Sequence, residues 1–204
     1  NGAGLSASSA MWDIIVRGDF TTASNLRLVD LNAGGENNGR RWGDAYLNLR
    51  SALEEAASNP EINEIWVAGG IYRPSNIGDR SATFRLINGV KVYGGFSGTE
   101  NGLSQRNFSN NKTILSGDLN SNDLPNFTNR EDNSLHVVTG SGANSNAILD
   151  GFIISSGNSD LAANNDRGAG LINYGGSFIL RNITFTDNSS GDNSAGMFNS
   201  SGSA

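Results

Sequence analysis

Apolar residues along this chain come in short runs, and the spacing within most of them is that of strands. From residue 64 onward the runs 64–68, 82–86, 90–93, 113–115, 135–139, 147–154, 170–172, 178–185 and 195–198 are rich in Val, Ile, Leu and Phe, and Gly, Asn, Ser and Asp separate them. That pattern predicts β-strands closed by turns. Two further strand-like stretches, 11–20 and 26–31, precede a Gly- and Asn-rich loop at 32–41. Only residues 44–58 show helical spacing, with Tyr46, Leu49, Leu53 and Ala56 or Ala57 on one face, Asp44 as N-cap, and Asn59-Pro60 as the stop.

The runs repeat. The apolar pairs Ile65/Val67, Val90/Val92, Ile114/Leu115 and Val137/Val138 recur every 22 to 25 residues or so, about the length of one three-strand coil of a solenoid. Near the C-terminus, Gly170-Leu171-Ile172-Asn173 through Ser177 matches Gly196-Met197-Phe198-Asn199 through Ser203 at a constant shift. A looser match pairs Leu149 to Ile154 with Leu180 to Phe185 at a longer shift, as expected if residues 158–167 hold an inserted loop. Strands that pair with their counterparts one coil on would stack apolar side chains in columns about 4.8 Å apart, with Asn ladders at the turns. The expectation is an all-β fold, a right-handed parallel β-helix (solenoid) with one N-terminal capping α-helix at about 44–58. Residues 1–25 would form an N-terminal arm and 26–204 the β-helix domain.

Composition agrees with a turn-rich chain: of 204 residues, 27 are Gly and 29 are Asn, while charged residues make up 17%. The net charge of −6, with Lys91 and Lys112 the only lysines, offers no basic face for nucleic acid or an anionic membrane. There is no Cys, so no disulfide framework and no thiolate metal site. No apolar run reaches the roughly 18 residues of a membrane span. Residues 1–10 lack the features of a signal peptide, so an exported protein would already have lost it.

Several motifs resemble a known group. The stretch from Val29-Asp30-Leu31-Asn32 through Trp42, Tyr46 and Leu53 looks like an opening strand, loop and capping helix, and Ile65-Trp66-Val67-Ala68 with Gly70-Ile71-Tyr72 looks like a first coil. Val92-Tyr93-Gly94-Gly95-Phe96, Leu115-Ser116-Gly117-Asp118 and His136-Val137-Val138 continue it. Gly168-Ala169-Gly170-Leu171 is similar to a glycine-rich tetrapeptide, and Phe185-Thr186-Asp187-Asn188 to a Phe-x-x-Asn motif. Together they resemble the bacterial secreted right-handed parallel β-helix repeat proteins, related to pectate-lyase-like folds and to the chlamydial polymorphic outer-membrane protein passengers. The resemblance implies the fold and an extracellular or cell-surface setting; lyases, adhesins and other surface proteins all belong to this broad group, so it does not imply one activity.

Candidate chemistry is sparse. A lyase or hydrolase of this fold needs clustered carboxylates, whereas Asp118, Asp123, Asp150, Asp187 and Asp192 stand singly. No catalytic residue is assigned. Asp118, Asn120, Asn122 and Asp123 place oxygens at the start of a Ca²⁺-loop-like stretch, without the Gly and Glu of an EF-hand; they are the candidate metal ligands, and Ca²⁺ the one candidate cofactor. His136, the only histidine, reads as a strand side chain, and Arg17-Gly18-Asp19 as a strand end. Trp12, Trp42, Trp66, Tyr72, Tyr93 and Tyr174 are spaced irregularly, which favours packing over a sugar-binding face.

The expected function is therefore a non-enzymatic, structural or adhesive surface β-helix. Met11, Trp12, Ile14, Ile15 and Val16 have the β-propensity of an extra strand, and Met197 and Phe198 lie in the last coil. Head-to-tail self-association of these two segments into a filament is the expected assembly. A glycan or cell-surface partner is the other expectation, and a carbohydrate-active or carbohydrate-binding β-helix the alternative reading. No nucleic-acid partner and no membrane insertion are expected.

Overall fold

The computed structural model describes residues 25–75, 78–160, 167–191 and 194–201. Among them, strands gather into parallel sheets beside a single α-helix, so the described part of the chain is β-rich. One sheet has the order β1 (Leu26–Val29), β2 (Glu64–Ala68), β5 (Lys91–Phe96), β8 (Ile148–Asp150) and β12 (Ile179–Arg181). A second aligns β3 (Gly70–Tyr72), β6 (Thr113–Ser116), β9 (Phe152–Ser155) and β13 (Thr184–Thr186). A third aligns β4 (Phe84–Arg85), β7 (Val138–Thr139), β11 (Leu171–Tyr174) and β15 (Met197–Ser200). The short β10 (Asn158–Ser159) and β14 (Ser189–Ser190) pair with each other. From β2 onward the chain visits the first, second and third sheets in turn and returns to the first, completing one circuit each time.

Register turns this route into a core. Ile65, Val92, Leu149 and Leu180 face one another along the first sheet. Tyr72, Leu115, Ile154 and Phe185 do so along the second, and Phe84, Val138, Leu171 and Met197 along the third. These three columns belong to one apolar cluster, in which Leu180, Phe185 and Met197 of the last circuit are only partly buried. Side chains alternate across a strand, so Trp66, between Ile65 and Val67, turns away from that interior. It joins Leu28, Tyr93, Phe96 and Ile148 in a second cluster, stacking on Phe96 at 4.7 Å between ring centroids.

The helix, α1 (Leu49–Ser58), is shorter than expected. Asn48, not Asp44, is its N-cap: the Asn48 side chain accepts from the Ser51 N–H at 2.8 Å. Asp44 instead ends a short 3-10 turn and holds the preceding loop, accepting from the Glu36 N–H and pairing with Arg41. Tyr46 lies before the helix, bridged to Val29. Leu49, Ala52, Leu53 and Ala56 bury the inner face of α1 in the main cluster.

The expected 22-to-25-residue period is a correction of greater consequence. Ile65 and Val92 do stack, but Ile114 lies in the second sheet against Ile71, and Val138 in the third against Phe84. The pairs that suggested the period thus advance around the circuit instead of lying above one another. Insertions between β5 and β6 and between β6 and β7 lengthen the middle circuits and break the phase. The C-terminal matches, by contrast, are true register: Asn173 meets Asn199 at a shift of 26, and Ser189 meets Asn158 at a shift of 31. The extra residues of the longer shift fall between β10 and β11, within the expected insertion.

Two expected single strands are each two. The run 147–154 breaks at Gly151, whose φ of 85° turns the chain from the first sheet to the second. The run 178–185 breaks one circuit later around Asn182, at φ 50°. Glycine takes the left-handed region freely and Asn tolerates it, which suits both to a stacked corner. The expected arm falls outside the described residues except for Asn25.

Candidate functional site

The corner that leaves the second sheet gathers charged, amide and aromatic side chains around a cavity. Ser156 and Asp187 follow β9 and β13 and both have positive φ, 60° and 52°. Asn188 ties the two circuits together, since its Oδ1 accepts from the Gly157 N–H and its Nδ2 donates to the Ile154 carbonyl, each at 2.9 Å. In Phe185-Thr186-Asp187-Asn188, then, Phe185 packs against the core and Asn188 clamps the turn.

Over this corner lies the long connection between β6 and β7. Ser121, Asn126, Phe127 and Asn129 within it have φ between 58° and 62°; for Phe127 such a backbone is strained, because a bulky Cβ crowds the carbonyl. Arg130 anchors the connection. Its Nη1 donates to the Asp187 carbonyl, its Nη2 lies 3.5 Å from Asp123 Oδ2, and its guanidinium sits 4.5 Å from the centre of the Phe127 ring. Asn133 Nδ2 donates to Asp123 Oδ2 at 3.0 Å and to the Ser156 carbonyl at 2.7 Å. A cavity of about 260 Å³ opens between these groups, lined by Asp123, Leu124, Phe127, Arg130, Ser156 and Asp187 among others. Burial pushes the Asp123 carboxyl above its ordinary range, against the opposing pull of Asn133 and Arg130.

The expected cation ligands are spread along this connection. Asp118 accepts from the Asn122 N–H at 3.1 Å, the Asn120 N–H donates to Asp132 at 3.0 Å, and the Asn120 and Asn122 residues are exposed. Asp123 is the one of the four that lines the cavity. No group of three or more His, Cys, Asp or Glu side chains gathers as a metal site among the described residues, although amide and backbone oxygens also serve Ca²⁺. Of the expected assembly residues, Met197 packs on the core and Phe198 lies edge-on to Tyr174 at 5.5 Å. Met11, Trp12, Ile14, Ile15 and Val16 lie outside the described residues.

Other sequence candidates take structural places. Asp150 is buried, its carboxylate held by Arg106 and Asn182 at 2.7 Å each. Trp66, Tyr72 and Tyr93 are buried, and Trp42 donates its indole N–H to the Glu100 carbonyl; of the expected aromatics, Tyr174 is exposed. His136 Nδ1 lies 3.1 Å from the Gly168 carbonyl, and burial lowers its pKa. Sequence reasoning missed Phe127, Arg130, Asn133 and Ser156. The available signal was an aromatic and an arginine inside an otherwise polar, Asn- and Pro-containing insertion. Among the described residues no helix is long and apolar enough to cross a membrane. Comparison with protein-family models, with curated proteins and with solved structures finds no match.

Proposed function

We propose that this chain is a right-handed parallel β-helix with a structural or adhesive role outside the cell or on its surface, and without catalytic activity. The observation that carries the reading is the stacking itself. Each sheet is a parallel ladder, in register apart from one shift between β2 and β5, in which every circuit supplies the template for the next. At one end β12, β13 and β15 are the outermost strands of their sheets, and Leu180, Ile183, Phe185 and Met197 at that end are only partly buried. The outermost strand of such a ladder can pair with a further strand of the same direction, supplied by the same chain or by a second copy. A strand at Met11 to Val16 of a second copy is the occupant we propose, which would propagate head to tail.

Two measurements test the reading. Incubated with polyuronates and common neutral glycans, the protein is expected to release no product. Turnover that disappears on replacing Asp118, Asp150 or Asp187 would contradict the non-enzymatic role. For assembly, size-exclusion chromatography and negative-stain images of the protein with and without residues 1–20 are expected to show filaments only with them. Identical monomeric profiles would refute assembly through that segment.

A further inference from the structure

A second groove lies at the corner where each circuit enters the first sheet. It holds about 460 Å³ and is lined by Ala57 and Pro60 at the end of α1, Arg85 and Ile87 at the end of β4, and Ser141 and Ala143 after β7, among others. These segments lead into β2, β5 and β8. Ala57, Pro60 and Arg85 are exposed, and Ile87 is half-buried against the core. The Arg85 side chain makes no hydrogen bond or ion pair among the described residues. Small apolar walls beside one unpaired cation suit an apolar segment that carries one acid.

Such a segment is tethered close by. The Asn63 N–H donates to the Asn25 carbonyl at 3.0 Å, and the Lys91 N–H to the Asn63 carbonyl at 2.9 Å. The starts of β1, β2 and β5 therefore lie side by side, spanning about 10 Å, and residues 1–24 precede β1 at this same corner. In sequence they hold Met11-Trp12-Asp13-Ile14-Ile15-Val16, apolar residues around one carboxylate. The stretch from Ile14 to Asn25 reaches at most roughly 36–40 Å, several times the span required. A tether of that length sets an effective concentration on the order of millimolar, which a second copy at micromolar concentration does not match. Reach and charge both favour the chain's own segment as the occupant.

We propose that Met11 to Val16 docks in this groove of its own chain, with Asp13 paired to Arg85 and the apolar neighbours against Ala57, Pro60 and Ile87. A segment seated there is withheld from the last circuit of a neighbouring copy, so the proposal rests on the assembly reading for its biological use and adds its regulation. Digestion of the monomeric full chain with an arginine-specific protease, followed by mass spectrometry, tests it. Docking shields the bond after Arg17, and cleavage there reads the undocked fraction when reclosing is fast. Arg85→Glu and Asp13→Lys are each expected to speed that cleavage about two- to fivefold, the worth of an exposed ion pair, and the two together to restore the parent rate. Ala57→Gln keeps a good helix former but fills the groove, and is expected to speed cleavage as well, whereas Lys112→Glu leaves it unchanged. Equal rates in all variants overturn the proposal, as does a double exchange that fails to rescue. Protection that grows with chain concentration overturns it in favour of a second copy in the groove. If Arg85→Glu fails to fold, Ala57→Gln decides. Filaments that form while Arg17 is cut equally fast in every variant strike this proposal alone; charge-dependent protection without filaments strikes the assembly reading alone.

Discussion

Asn173 is fully buried in β11, and its amide closes a small network: Nδ2 donates to the Gly176 carbonyl at 3.0 Å and to Asn199 Oδ1 at 2.7 Å, and Oδ1 accepts from the Gly176 N–H at 3.0 Å. Removing the amide leaves those groups unsatisfied in the interior. Asn173→Ala is therefore expected to cost about 1–3 kcal/mol of stability, read from the urea midpoint. A second residue-scale test concerns Arg27, whose side chain is 5% exposed and bonds Glu55 through Nε and Nη2 at 2.7 and 2.8 Å. Tyr46 donates to the same carboxylate at 2.8 Å, and burial together with that bond pushes its hydroxyl up to about 12. Glu55→Ala should cost roughly 1.5–3 kcal/mol at neutral pH. The Arg27 bond holds the Glu55 carboxyl below its ordinary 4.5. Its stabilisation is thus full above that value and is lost as pH falls through the depressed one. The gap between parent and variant should close in acid. Asp123 has the opposite sign: its raised carboxyl makes the folded state less stable as pH rises through its titration. The sequence announced Asn173, because the repeat placed it opposite Asn199. It did not announce the pairing of Arg27 with Glu55 or of Arg130 with the Asp187 carbonyl, partners distant in the chain with no spacing to betray them.

At the scale of elements, the corners decide where strands end. Gly94, in β5, faces the next circuit so closely that an added Cβ would lie 2.5 Å from the Gly151 carbonyl and 3.0 Å from Thr113 Cβ. Gly94→Ala must push two circuits apart and is expected to cost about 1–3 kcal/mol, measured by thermal or urea unfolding. Strand positions were legible wherever an apolar run met a turn signal; β2 spans the expected residues 64–68. Boundaries blurred where one left-handed residue, Gly151 or Asn182, separates two apolar strands, since a run of hydrophobic residues does not mark a corner. The polar strands β10 and β14 carried no apolar signal at all. Helix α1 was visible by its spacing, but two residues capable of capping lay upstream, and Asp44 was taken up by Arg41 and the Glu36 N–H.

For the whole molecule, parallel pairing was legible in the short C-terminal circuits, where the shifts of 26 and 31 are register itself. It was illegible across the middle, where the insertions after β5 and β6 change the spacing while leaving the columns in place. The cavity beside Asp123 is half built from one of these insertions, and Asp123, Leu124, Phe127 and Arg130 have no counterpart in the neighbouring circuits from which to be inferred, whereas Ser156 and Asp187 occupy equivalent corners. The central claim is that distant strands lie side by side, with β3 against β6 rather than β2, β5 and β6 following one another in a single ladder. The absence of Cys from the chain makes this directly measurable. Ile71 and Ile114 are in register on neighbouring strands, Ile71 being exposed, and parallel neighbours lie about 4.8 Å apart, within the Cα separation a disulfide spans. Ile71→Cys with Ile114→Cys should form an intramolecular disulfide under mild oxidation, seen as a mobility shift without reductant. Val92→Cys with Ile114→Cys should not. Cross-linking of the second pair and not the first would contradict the account.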